Sequence, residues 1–134
     1  MRDLHNNIKA EAALNVSAIS TDTTTVGSII DMQGYGALEF IIRSGTLTDG
    51  TYTPLIEEGD AANLSGATAV ADADLLGTEA AAAFVAADDN VVKKVGYIGN
   101  KRYVRLSIVS SGVTTGGAMT AVAIKGRAAD RPMA

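Results

Sequence analysis

The stretch Ala37-Leu38-Glu39-Phe40-Ile41-Ile42-Arg43-Ser44 sets Leu38, Phe40 and Ile42 on one side and Glu39 and Arg43 on the other. Successive side chains of a strand point to opposite faces, so this alternation describes a strand with one face in a core and one in water. The same pattern returns in Tyr103 to Val109, where Val104, Leu106 and Ile108 oppose Arg105 and Ser107. Ala13 to Ile19 alternates Leu14, Val16 and Ala18 against Ala13, Asn15 and Ser17. Val26 to Met32, Tyr52 to Glu58, Ala67 to Ala71, Val91 to Ile98 and Ala118 to Lys125 complete the strand candidates.

Between these runs the chain is punctuated by turn residues. Leu47-Thr48-Asp49-Gly50-Thr51 has the Asp-Gly pair of a hairpin turn, whose central residues need positive φ. Gly99-Asn100-Lys101-Arg102 and the segment Ser111 to Gly117 read as two further hairpin loops. Pro54 cannot donate to a ladder and so marks an edge or a bulge. Thr78-Glu79 followed by four alanines and Phe84 suits one helical turn. The expectation is an all-β protein: a single antiparallel β-sandwich of seven to eight strands over residues 13–125, jelly-roll-like if successive strands cross between sheets. A closed β-barrel has the same period and is the alternative. Residues 1–12 read as an N-terminal arm and 126–134 as a polar C-terminal tail.

A chain of 134 residues makes one domain with a sufficient core. Cysteine is absent, which removes disulfides, thiolate metal sites and thiol catalysis. The one histidine, His5, stands near the start, so a Ser-His-Asp triad has no evident base. Walker, nucleophile-elbow and dinucleotide-binding patterns are missing, and the expected catalytic, cofactor and metal residues are none. Acid clusters at Glu57-Glu58 with Asp60, Asp72 with Asp74, and Asp88-Asp89-Asn90 lack calcium-loop spacing and read as solvated turns. No run approaches a membrane span, and the opening residues do not read as a secretory signal. The expected site of synthesis is a cytoplasm.

The net charge of −4 disfavours nucleic acid as a partner. Its distribution is uneven. The charged residues of 44–92 are all acids, and residues 93–134 hold eight of the eleven bases. Such segregation allows oppositely charged patches that dock between copies, unless the segments interleave in the sheets. The segment from Lys93 and Lys94 through Tyr97, Lys101, Arg102, Tyr103 and Arg105 forms a basic-aromatic hairpin that could grip an acidic surface. Leu4 and Ile8 are the apolar residues that an N-terminal arm would lay on a neighbour.

Met1 to Lys9, Thr51 to Glu58 with Ala71 to Gly77, and Gly96-Tyr97-Ile98-Gly99-Asn100-Lys101-Arg102-Tyr103-Val104-Arg105-Leu106 together resemble a family of small virion structural proteins of tailed bacteriophages. The resemblance runs in order over nearly the whole chain. It implies a capsid decoration protein (cement or minor capsid), a β-sandwich on the outer head surface that ties capsomers of the major capsid protein together. It also implies self-association as a dimer or trimer, and no catalytic motif; the charge segregation and the two polar arms favour the trimer. A tail or head–tail joining subunit, or a carbohydrate-binding module, are the other readings. The last is weakened by the absence of Trp and a total of four Tyr.

Overall fold

The computed structural model describes residues 3–127. Eleven strands follow in order: β1 (Ile8–Ile19), β2 (Thr24–Thr25), β3 (Ile29–Asp31), β4 (Ala37–Leu47), β5 (Thr51–Gly59), β6 (Thr68–Ala69), β7 (Leu75–Leu76), β8 (Phe84–Val85), β9 (Val92–Tyr97), β10 (Tyr103–Ser111) and β11 (Gly117–Gly126). They form two antiparallel sheets packed as a sandwich, not a closed barrel. One sheet has the order β1-β11-β4-β9-β7; the other runs β2-β10-β5-β6, with β3 also on β10 and β8 on β5. The count exceeds the expected seven to eight because four of the strands are two-residue pairings at the margins.

The inward sets are those that the alternation assigns. Leu38, Phe40 and Ile42 of β4 and Val104, Leu106 and Ile108 of β10 are all buried. Tyr52, Ile56, Phe84, Val95, Met119 and Ala123 join them in one core.

Connectivity differs from the expected hairpins. β4 and β5, β9 and β10, and β10 and β11 are consecutive, yet each pair splits between the two sheets. All three loops read as hairpins therefore cross the sandwich, which is the jelly-roll-like arrangement. Even Thr48 to Gly50 suffices, since three extended residues reach about 10 Å, the spacing of packed sheets. Gly50 does adopt positive φ, as the turn requires. The crossing is locked by Asp49, whose carboxylate accepts the backbone N–H groups of Thr114, Thr115 and Gly116 and the Thr114 hydroxyl. Tyr52 adds a hydroxyl bond to the Asp49 carbonyl at 2.7 Å.

Pro54 lies where β5 lacks a ladder partner on one side. β8 pairs there at Thr51 and Tyr52 and β6 at Glu57 and Glu58, leaving a gap between. In that gap the Ile56 N–H, on the same edge as Pro54, donates to the Glu79 carboxylate at 3.2 Å. Glu79 is delivered by the expected helical turn, which Thr78 caps by accepting the Ala81 N–H at 3.0 Å.

The N-terminal boundary needs correction. Ile8 to Ala12 are not arm but ladder, paired from Ile8↔Gly126 to Ala12↔Val122. The described residues ahead of the sheet are Asp3 to Asn7, with a 3₁₀ turn at His5–Asn7. Gly126 likewise ends β11 rather than opening the tail, and residues 128–134 lie outside the described part.

β1 also departs from simple alternation. Register shifts flank Leu14, so Ala13 and Leu14 are both buried while Val16 is exposed. The bulge lets the Ala13 carbonyl accept the Ser28 N–H at 2.8 Å, joining the edges of the two sheets. Glycine at position 27 is required, because a Cβ there would run into the backbone carbonyls of Ala13 and Leu106.

Candidate functional site

Topology brings the basic C-terminal strands beside the acidic middle of the chain. β10 pairs with β5, setting Arg105 opposite Glu57, and with β3, setting Tyr103 opposite Asp31. Arg105 consequently bonds Glu57 at 2.9 Å. Arg102 donates through Nε and Nη2 to both oxygens of Asp31, at 2.9 and 3.0 Å, and through Nη2 to Gln33 at 2.7 Å. Its guanidinium lies 4.9 Å from the Tyr103 ring centroid. This fork holds the Asp31 carboxyl down at about 2. Lys101 reaches Asp60 at 3.0 Å, which raises its own pKa.

Tyr97 and Tyr103 do not face each other across a hairpin, because their strands belong to different sheets. Tyr97 is instead buried in the five-stranded sheet. Its hydroxyl donates to Glu58 at 2.5 Å and accepts the Lys101 N–H at 3.0 Å. Burial, then the Glu58 carboxylate, push the phenol pKa upward. A groove of about 370 Å³ opens beside this hub, with Gln33, Tyr35, Asp60, Asn100 and Lys101 in its wall.

Lys93 turns inward, with Nζ 2.5 Å from the Ala83 carbonyl, 3.4 Å from Asp88 and 4.9 Å from the Phe84 ring centroid. Lys125, which the sequence does not mark, is almost wholly buried. Its Nζ lies 2.7 Å from Glu11, 3.1 Å from the Asp31 carbonyl and 4.3 Å from the Tyr35 ring centroid. The acidic and basic segments thus interleave, and Lys93, Lys101, Arg102 and Arg105 meet acids of their own chain. Of the proposed contacts only Lys94, on the outer face of β9, and Leu4, ahead of the sheet, stand exposed and outside these pairings. Ile8 is half-buried in β1.

The Asp-rich loops serve the backbone. Asp88 accepts the Val85 N–H, Asp89 the Leu47 N–H and Asp22 the Val113 N–H. Among the described residues no three His, Cys, Asp or Glu side chains converge as metal ligands. The aromatic rings offer no open platform there either. Phe40, Tyr52, Phe84 and Tyr97 are buried, and Tyr35 and Tyr103 are half-buried beneath Lys125 and Arg102.

The feature that the sequence reading missed is the outer face of the five-stranded sheet. Register places Ala10, Ile124, Glu39, Gly96 and Leu76 in one row across all five strands. Ala12, Val122, Ile41 and Lys94 form the next. The signal was present in β11, which is mostly apolar at both parities: Met119, Ala121 and Ala123 point in with Lys125, while Ala118, Val122 and Ile124 point out with Thr120. A strand with one wet face alternates with polar residues instead.

No protein-family model matches this sequence, and no curated protein does. The fold resembles that of the SPBc2 prophage-derived protein YomS. The crystal structure of YomS superposes with a TM-score of 0.55 over 90% of this chain and 94% of that one, at 15% sequence identity. At that identity the likeness is one of fold. No helix among the described residues is long and apolar enough to cross a membrane.

Proposed function

We propose that the protein is a bacteriophage structural component: a decoration protein that binds the outer surface of the head and ties neighbouring capsomers of the major capsid protein together. The observation that carries this reading is the end-to-end likeness in fold to a prophage-derived protein, both chains being covered almost completely. The ordered resemblance of three sequence segments to small virion proteins supports the same role. Its partners are the major capsid protein and further copies of itself, without nucleic acid or membrane. A carbohydrate-binding role draws less support, because each described aromatic ring is buried or lies under a cation.

The test is immunogold labelling of particles released by the host that encodes this chain. Gold over the head shell is the expected result. Gold confined to the tail or the head–tail joint overturns decoration in favour of a joining subunit. Particles free of the protein overturn the virion role altogether.

A further inference from the structure

The two outer faces of the sandwich differ in how they mix polar and apolar positions. On the six-stranded sheet Leu55 and Val109 alternate outward with Thr51, Thr53 and the Arg105–Glu57 ion pair. On the five-stranded sheet the outward positions include Val122, Ile41, Ile124, Leu76 and Val92, with Ile98 just beyond the end of β9. Of these, Leu76, Val92 and Ile98 each remain more than half exposed among the described residues. A contiguous apolar face of this extent marks an interaction surface. Small residues keep it flat: Ala10 and Ala12 on β1, and Gly96 on β9.

Three charges stand on the face, and none forms an ion pair among the described residues: Arg43 at the margin, opposite Val92 and Thr120, and two nearer the centre. Glu39 is one of these two. Its carboxylate lies over Gly96 beside Leu76, where a Cβ on residue 96 would meet Oε2 at 2.5 Å. That burial pushes the Glu39 pKa upward, and Lys94 lowers it only in part. Lys94, one row away opposite Ile41, is the other and is exposed. Acid and base side by side on one apolar face make it self-complementary. A two-fold axis passing between them sets each charge against the opposite charge of the second copy, the reciprocal contact of an isologous interface.

We infer that the outer face of the five-stranded sheet, centred on Val122, Ile41, Glu39 and Lys94, is a two-fold interface with a second copy of this chain. Its size is adequate. Four strands, β1, β11, β4 and β9, about 4.8 Å apart and paired over about six residues, span about 400 Å² in projection, and the short β7 extends that edge. Side-chain relief raises the accessible area toward the about 800 Å² per partner of a standard interface. Two flat sheets stacked face to face are also an ordinary way to build a core. The trimer expected from charge segregation loses part of its basis, because Lys93, Lys101 and Arg105 pair with acids of the middle segment within the chain. The inference holds whether or not the protein is a virion component.

Sedimentation velocity of the full chain at micromolar concentrations tests it. Wild type is expected to sediment as a dimer. Val122→Asp and Leu76→Glu each bury a charge in the face and are expected to weaken dimerisation more than about tenfold. Thermal unfolding of the dilute variants shows that each still folds, and the more exposed Leu76 serves if the Val122 variant does not. Glu39→Lys and Lys94→Glu are expected to weaken the dimer singly and restore it when combined. A wild-type monomer or trimer overturns the inference. So does a dimer that survives both apolar-to-acid changes, or a combined charge swap that fails to recover. A chain that dimerises only after residues 128–134 are removed identifies its own terminus as the occupant and overturns it too.

Discussion

Replacing Leu106 by Ala tests the assignment of the core directly. Leu106 has no exposure, sits mid-way along β10 and is in register with the equally buried Ile56. Removing three carbons at about 0.8 kcal/mol each forfeits about 2.4 kcal/mol of burial. β10 is hydrogen-bonded on both sides, to β5 and to β2 and β3, so the cavity cannot close by moving the strand. The total therefore falls near about 3–4 kcal/mol, within the span of about 2–5 measured for such truncations. At about 2.1 cal/mol/K per residue, the unfolding entropy of this chain is about 0.28 kcal/mol/K, giving a Tm drop of about 11–14 °C. Urea unfolding provides the assay, with an unchanged m-value showing that only stability moved. Val109→Ala on the outer face of the same strand is the control and is expected to cost under about 1 kcal/mol. A Leu106 variant that costs no more than the Val109 variant refutes the reasoning, because the strand would then be one residue out of register.

Lys125→Met is expected to cost about 2–3 kcal/mol, less than the about 3–5 of a fully buried pair because Glu11 keeps some water. Adding Glu11→Gln should recover part of it in a double-mutant cycle by urea unfolding. Tyr97→Phe removes the hub between Glu58 and the Lys101 N–H, for an expected loss of about 1–2 kcal/mol and faster hydrogen exchange at Lys101. Asp31 and Asp49, held at about 2 by Arg102 and by the Thr114 to Gly116 donors respectively, supply stability that is whole above their unfolded pKa of about 3.8. It drains as pH falls toward 2. Glu79 has the opposite sign: burial raises its pKa, so its protonation on mild acidification relieves a penalty. Thermal unfolding against pH should therefore rise slightly from neutral into mild acid and fall below about pH 4, with a shallower fall in Asp49→Asn.

The inward residues of β4 and β10 are legible in the sequence because burial alternates with the pleat, and the pleat is local. Turn positions are legible for a similar reason: the Gly50 φ belongs to that residue, whatever its strands later pair with. So is the absence of cysteine, and with it a fold held without disulfides. The tight loops, however, specify a reversal and not a partner. A strand leaving Asp49-Gly50 with one apolar face can bury it beside β4 or across from it, and the sequence pattern is identical in both cases. Only the assembled sandwich decides, here through the Asp49 carboxylate gripping the loop at Thr114 to Gly116. The bulge in β1 is likewise invisible locally, since it answers to Ser28 on the other sheet.

The same division explains the surface. Composition by segment separates acids from bases, yet antiparallel pairing lays β10 against β5 and β3, so Arg105 meets Glu57 and Arg102 meets Asp31. Charge along the chain is a one-dimensional property, and charge on the surface depends on which strands become neighbours. The apolar outer face arises in the same way. Val122, Ile41 and Leu76 lie far apart in sequence and become one surface only when β11, β4, β9 and β7 fall into order and register. The sequence determined which residues face which way on each strand. Tertiary structure decided which strands lie side by side, because that choice is made by non-local pairing and the shared core.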